Sequence, residues 1–139
     1  MTFAFALFLA AANLCTVPAA VQQEVVRRFP GYVIPISDPC AHVVRGDFDC
    51  NKMEDYALLV EHTETGRVLL VTALGSKKGV LLELHRVGNL GKIGTAHLAL
   101  AKPPKVKGAR CNAISFGDKL LYRVGNDWKI GGNPAAGKP

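Results

Sequence analysis

The chain has few aromatic and few acidic residues, and its first 20 positions carry no charged side chain. Aromatic residues make up 7% of 139 residues, and 17 lysines and arginines outnumber 11 acidic residues, which gives a net charge of +6. The aromatic residues are not interleaved with the basic ones, as a stacking platform for nucleic acid would require. We therefore expect no nucleic-acid partner. The charge then indicates a solvated basic surface, an acidic protein partner or an anionic cell surface.

The sequence also lacks an apolar run long enough to cross a membrane. The apolar run over residues 1–12 is followed by small residues, and residues 16–20 are typical of a signal-peptidase region. We predict a signal peptide over residues 1–20, cleaved after Ala19 or Ala20, although the usual basic start is missing. A buried N-terminal helix is the alternative, and Asn13-Leu14 before Cys15 argues against a lipoprotein signal. The mature chain is then periplasmic or secreted, without a transmembrane segment.

Paired zinc or redox motifs are absent, because no two cysteines have Cys-x-x-Cys spacing. In an exported chain, Cys40, Cys50 and Cys111 are disulfide candidates. Both Cys40–Cys50 and Cys50–Cys111 remain open. Four histidines occur singly and are predicted to lie on strand surfaces rather than to bind metal: His42, His62, His85 and His97.

No catalytic constellation is apparent. Ser76 and Ser115 lack the Gly-x-Ser-x-Gly context of a hydrolase. Glu83 and His85 share one face of a predicted strand, where cross-strand pairing of exposed charges is the common use. The glycine-rich residues 88–94 lack the strand-to-helix setting of a phosphate-binding loop. We therefore expect a protein that is not an enzyme.

Hydrophobic spacing predicts a mainly β, small antiparallel β-meander or sandwich-like domain with one short N-terminal helix. The helix is expected over residues 21–29, where Pro30-Gly31 ends it. On the strand at 80–87, Val80, Leu82 and Leu84 are expected to face the core. Strands are predicted over residues 32–36, 41–45, 56–62, 67–74, 80–87, 95–101, 111–116, 119–124 and 127–130. One domain then covers residues 21–130, followed by a flexible tail over 131–139.

One acidic stretch precedes the strongest strand. Asp47, Asp49, Asn51 and Asp55 supply side-chain oxygens at alternate positions, and the Met53 carbonyl fills the remaining gap. Oxygen ligands at this spacing on a short loop suit a hard cation such as calcium. An Asp/Asn-rich turn held only by Asx hydrogen bonds is the alternative.

The Gly46-Asp47-Phe48-Asp49 opening and the later Asp55 resemble the FG-GAP/VCBS-type repeat. Cys50 and Lys52 stand where that family has glycines, at positions where the loop commonly needs a positive φ. A closing hairpin with Tyr122 and Trp128 adds to the resemblance. The motif occurs once, so a propeller of several blades is excluded. The resemblance implies a degenerate calcium loop and an adhesive or protein-binding role.

Two hypotheses for function follow. The first is an exported, non-enzymatic protein-binding module, such as a periplasmic inhibitor or immunity protein against a peptidoglycan-degrading enzyme or toxin. The second is a calcium-stabilised structural or envelope-associated module without an enzyme target. The loops over residues 88–94 and 102–110, the latter basic and stiffened by prolines, are the predicted contact segments. Their candidate contact residues are Asn89, Lys92, Lys102, Lys105, Lys107 and Arg110.

Overall fold

A computed structural model describes residues 16–35 and 39–133, and it confirms a mainly β protein with a short N-terminal helix. Helix α1 covers Ala19–Arg28, and α2 is a single turn over Pro39–His42. The strands are β1 Tyr32–Val33, β2 Val43–Gly46, β3 Asp55–His62, β4 Val68–Ser76, β5 Gly79–His85, β6 Leu98–Ala101, β7 Ala113–Phe116, β8 Lys119–Val124 and β9 Asp127–Gly132.

The strands form two antiparallel sheets. The first sheet has the order β1-β3-β4-β5, and β2 pairs with β3 beside β1, from Val43 opposite Leu58 to Gly46 opposite Asp55. The second sheet has the order β6-β7-β8-β9. Strands β7, β8 and β9 pair in succession because two-residue turns join them, and Gly117 and Gly125 have positive φ values in these turns.

Helix α1 covers the outer face of the first sheet. Its buried residues Val21 and Val25 are four positions apart, so they lie on one side of the helix, while Val26 is exposed. They pack with Leu58, Val60 and other residues of the first sheet. Arg27 and Arg28 occupy the last helical turn, where cations interact favourably with the helix dipole.

A second core lies between the two sheets. Ala57 and Leu59 of β3 pack there with residues from both sheets, including Ile114 and Leu121. Strand β3 is therefore covered on both faces, which is why Asp55 to Val60 are all buried. The molecule thus has three layers, in the order helix, first sheet, second sheet.

The structure corrects several local predictions. Residues 41–42 belong to α2 rather than to a strand, and β1 is limited to two residues among those described. His42 and His85 are buried rather than on a strand surface, and Leu84, which we expected in the core, is 40% exposed. Val80 and Leu82 pack in the core beneath α1 as predicted, whereas His85, on the opposite face of β5, meets Trp128 of the second sheet.

The chain ends also differ in part from the predictions. Gly131 and Gly132 continue β9 rather than beginning a flexible tail, and residues 134–139 lie outside the described part. Most of the predicted signal peptide, residues 1–15, also lies outside it. Val17 is buried against Val21 and Val25, and its carbonyl accepts a hydrogen bond from Gln22 Nε2 at 2.8 Å. Among the described residues, no helix is both long and apolar enough to cross a bilayer.

Candidate functional site

The acidic loop connects the end of β2 to the start of β3, at the edge where the two sheets meet. Cys50 and Lys52 have φ values of 60° and 66° in this loop, in the left-handed region that favours glycine. Left-handed backbone at a residue with a Cβ costs about 1–2 kcal/mol, so surrounding contacts must hold this conformation. Those contacts come from side-chain oxygens of the loop itself and from the second sheet.

Asp55 is the buried anchor of the loop. Its Oδ2 accepts a hydrogen bond from the Phe48 N–H at 2.8 Å, and its Oδ1 accepts one from the Gly75 N–H at 2.9 Å. The carboxylate therefore ties the start of the loop to the end of β4. Gly75 is required by space, because a Cβ at that position would lie 2.6 Å from the Glu54 carbonyl oxygen.

Burial raises the pKa of Asp55 from 3.8 to about 6. The hydrogen bonds from the two backbone N–H groups act in the opposite direction and lower this pKa. The neighbouring Asp49 carboxylate raises the pKa further. A buried carboxylate next to a second carboxylate carries unfavourable negative charge, which a bound cation would neutralise.

The remaining loop oxygens are held by backbone donors. Asp47 Oδ2 accepts a hydrogen bond from the Lys52 N–H at 2.9 Å, and Asn51 Oδ1 accepts one from the Met53 N–H at 2.9 Å. Asn51 Nδ2 donates to the Gly75 carbonyl at 2.7 Å, which directs Asn51 Oδ1 into the loop. Asp49 Oδ1 accepts a longer hydrogen bond, 3.3 Å, from the Asn51 N–H.

The geometry brings the predicted carboxylates together. One oxygen from each of Asp47, Asp49 and Asp55 lies within 4.8 Å of the others. Asp47 Oδ1 is buried and has no hydrogen-bond partner among the described residues. Glu54, by contrast, is directed away and forms an ion pair with Arg45 at 3.4 Å. These ligand atoms are all oxygens, which are the ligands that calcium prefers.

A disulfide joins this loop to the second sheet. Cys50 and Cys111 are bonded, with Cα atoms 5.3 Å apart and a sequence separation of 61. This bond excludes the alternative Cys40–Cys50 pairing. The side chain of Cys40 lies outside the described part.

Asn112, next to Cys111, adds two hydrogen bonds to the same connection. Its Oδ1 accepts from the Asp47 N–H at 3.0 Å, and its own N–H donates to the Asp47 carbonyl at 3.1 Å. Asn112 and Gly75 were not predicted as part of this site, because neither belongs to the acidic stretch and their contacts are 65 and 20 residues away in sequence. The only feature of the sequence that could have indicated Asn112 is its neighbour Cys111, which was a disulfide candidate for Cys50.

The two predicted contact loops lie at opposite ends of β6, since one precedes that strand and the other follows it. They therefore do not form one surface. Residues 102–110 are next to the disulfide and the acidic loop, and a Cβ on Gly108 would lie 2.9 Å from the Val124 side chain in β8. Lys102, Lys105, Lys107 and Arg110 are all exposed in this loop.

A hollow of about 680 Å³ lies between this basic loop and the second sheet. Its apolar lining includes Leu100, which is 51% exposed, Leu120 and the two prolines of the loop, while Lys102 and Lys105 provide its charge. An apolar floor with cations at the rim can receive an apolar anchor flanked by acidic groups.

The loop over residues 88–94 is attached to the rest of the fold by a hydrogen bond and by apolar contacts. His42 Nε2 donates to the Ile93 carbonyl at 2.8 Å, and Leu90 and Ile93 pack against the core between the sheets. Asn89 and Lys92 are exposed on this loop. Asn89 lines a cavity of about 270 Å³ that also reaches the turn between β7 and β8.

His85 and Glu83 do not form an acid–base pair. His85 Nε2 is hydrogen-bonded to Thr72 Oγ1 at 2.7 Å, and the Trp128 ring meets the imidazole edge-on with centroids 4.7 Å apart. Burial lowers the pKa of His85 to about 4, which keeps the ring neutral near pH 7. The Arg123 guanidinium lies 5.4 Å from the centre of the Trp128 ring, on the same inner side of the second sheet.

Comparison of the chain with models of protein families, with curated proteins and with solved structures gives no match. The resemblance to FG-GAP/VCBS-type repeats therefore remains a hypothesis drawn from the loop and the closing hairpin.

Proposed function

We propose that the protein is an exported, non-enzymatic binding module that holds an acidic protein partner on the basic loop over residues 102–110. The observation that carries this proposal is the conjunction of four exposed cations with the adjoining apolar hollow. The cations attract an acidic surface, and the hollow supplies apolar area that a partner side chain can bury.

The loop is also suited to binding because its conformation is restrained before a partner arrives. Pro103 and Pro104 limit its backbone, and the Cys50–Cys111 disulfide fixes its far end. A restrained loop loses little conformational entropy on binding, which favours affinity. A disulfide is also compatible with an oxidising compartment outside the cytoplasm.

For the identity of the partner, the resemblance favours an enzyme or toxin that degrades peptidoglycan, with this chain as its inhibitor or immunity protein. A loop inserted into an enzyme cleft needs shape and charge but no catalytic group. The net charge of +6 selects acidic enzymes over basic ones.

The test is inhibition of a panel of purified acidic peptidoglycan hydrolases by the wild-type protein and by Lys102→Glu/Lys105→Glu. A matched control is Lys77→Glu/Lys78→Glu, which makes the same charge change in the exposed turn between β4 and β5. We expect inhibition to be lost only in the first variant. No inhibition of any member by wild type, or equal loss in both variants, would refute the proposal.

A second function is supported by a separate observation: Asp47 Oδ1, beside Asp49 and Asp55, has no hydrogen-bond partner in the part of the chain that the structure describes. Here the loop would hold calcium and the protein would serve as a calcium-stabilised structural or envelope-associated module. Asp47, Asp49, Asn51 and Asp55 would supply side-chain oxygens, and Met53 its carbonyl. Bound calcium would neutralise the clustered carboxylates and stabilise the fold.

Thermal unfolding with calcium and with a chelator tests this second function. We expect calcium to raise the Tm of wild type and not that of Asp49→Asn, which keeps the size of the side chain and removes its charge. The same Tm in calcium and chelator for wild type would leave the loop as a turn held by Asp55 and the disulfide.

A further inference from the structure

A cavity of about 460 Å³ lies at the end of the first sheet opposite the acidic loop, and its lining suits a carboxylate attached to an apolar group. It lies where β4 begins and β5 ends, away from the acidic loop and from residues 102–110. Two arginines, Arg67 and Arg86, line it together with aliphatic side chains, and none of the described residues that line it is acidic. The volume is within the usual range for small-molecule sites.

Both arginines lie at the same end of the β4–β5 hairpin. Arg67 immediately precedes β4, Arg86 immediately follows β5, and the last pair of the ladder at this end is Leu70 with His85. Both arginines line the same cavity. Two long side chains at one cavity can direct both guanidinium groups to one anion.

Both guanidinium groups are available. Arg67 and Arg86 are exposed, and within the described residues neither side chain forms a hydrogen bond or an ion pair. Arginine presents a planar fork of N–H donors that matches the two oxygens of a carboxylate. His85 also lines the cavity, but its Nε2 is already hydrogen-bonded to Thr72 Oγ1.

The aliphatic walls of the cavity indicate what kind of group the carboxylate would carry. Leu69, Leu84 and Leu90 contribute aliphatic surface, and Leu84 is 40% exposed among the described residues. Gly88 has a φ value of 88°, and nothing lies within 4 Å of where its Cβ would be, so the approach over the backbone is open. A short aliphatic group would bury these leucines while its charge meets the arginines.

We infer that this cavity binds a carboxylate carried on a short aliphatic group. A peptide C-terminus that ends in an aliphatic residue and a free aliphatic acid both have this chemistry. The inference is independent of the proposed function, because it concerns a different surface and different side chains.

The experiment is titration of the ¹⁵N-labelled protein, followed by NMR, with N-acetyl-alanyl-leucine, with its C-terminal amide, and with octanoate. We expect the peptide acid or octanoate to shift resonances of Arg67, Leu84 and Gly88. The amide is expected to bind at least about tenfold more weakly, since it removes the charge that the arginines recognise.

Variants localise the site. Arg67→Ala and Arg86→Ala should each weaken binding about tenfold, while Lys77→Ala, at the other end of the same hairpin, should not change it. The arginine side chains make no contacts that the fold requires, so urea unfolding of these variants should match wild type. Preference for octanoate would identify a free acid as the ligand, and preference for the peptide a chain terminus. Equal binding of acid and amide, or no shift with either acid, would overturn the inference.

Discussion

Removing the disulfide between the acidic loop and the second sheet is expected to cost about 4 kcal/mol of unfolding free energy. The perturbation is Cys50→Ser together with Cys111→Ser. The bond closes a loop of 61 residues. In the chain-entropy description, this closure removes roughly 14 cal/mol/K from the unfolded chain, which is about 4 kcal/mol at room temperature.

Two native contacts limit how far the loop itself is disturbed. Asp47 and Asn112 keep their paired hydrogen bonds, and Asp55 keeps its two backbone donors. We therefore expect the variant to fold, with most of the loss coming from a less restrained unfolded state. Such a change exposes more surface on unfolding, so the dependence of stability on urea should become steeper.

The assay is equilibrium urea unfolding followed by Trp128 fluorescence, with the wild type and the double variant under the same buffer. A companion variant, Cys50→Gly with Cys111→Ser, isolates the backbone at residue 50. It should recover about 1 kcal/mol, because glycine accepts the φ value of 60° without the cost of a Cβ. A loss below about 1 kcal/mol in the serine variant would refute the entropic reasoning.

Three further predictions concern single side chains. Asp55→Ala should reduce stability by about 2–4 kcal/mol in urea unfolding with chelator, because the N–H groups of Phe48 and Gly75 lose their acceptor, whereas Asp55→Asn should lose about half as much. Lys52→Gly should stabilise the protein by about 1 kcal/mol and strengthen any calcium binding, because it relieves a φ value of 66° and removes a positive charge beside the carboxylates. His85→Gln should remove a pH dependence: the pKa of His85 falls from 6.5 to about 4 on folding, so its contribution is complete above about pH 6.5 and is lost as pH falls towards 4. Between about pH 7.5 and pH 5, wild type should lose about 2 kcal/mol relative to this variant.

Each of these predictions has a result that contradicts it. Equal stability of Asp55→Ala and wild type would show that the buried carboxylate costs as much as its hydrogen bonds contribute. A destabilised Lys52→Gly would mean that the Lys52 side chain has a stabilising contact or that glycine loosens the unfolded chain more than it relieves the loop. For His85, the quantity to compare is the difference in unfolding free energy between wild type and His85→Gln at each pH. The raised pKa of Asp55 gives both proteins a dependence on pH of the opposite sign, and the difference removes it. A constant difference over the pH range would show that His85 is protonated equally in the folded and unfolded chains.

Most of the local elements of this protein follow from its sequence alone. Strand β8 begins and ends where the sequence predicts, because Gly117-Asp118 and Gly125-Asn126 supply turns at hairpin spacing. The three strands β3 to β5 follow from aliphatic runs separated by turn residues, and α1 follows from apolar residues at helical spacing. The acidic residues of the loop also converge as their alternate spacing predicts, since that convergence depends on a single turn.

The tertiary structure decided everything that depends on contacts between distant segments. Residues 41–42 are helical rather than extended, and His42 there is tied to Ile93, 51 residues away. The choice of Cys111 over Cys40 for Cys50, and the burial of His85 beneath Trp128, depend on how the second sheet lies on the first. The alternation of residues along a strand separates its two faces, but it does not predict which sheet packs on either face. The placement of Arg67 beside Arg86, and the separation of the two contact loops by β6, therefore became visible only with the strands assembled.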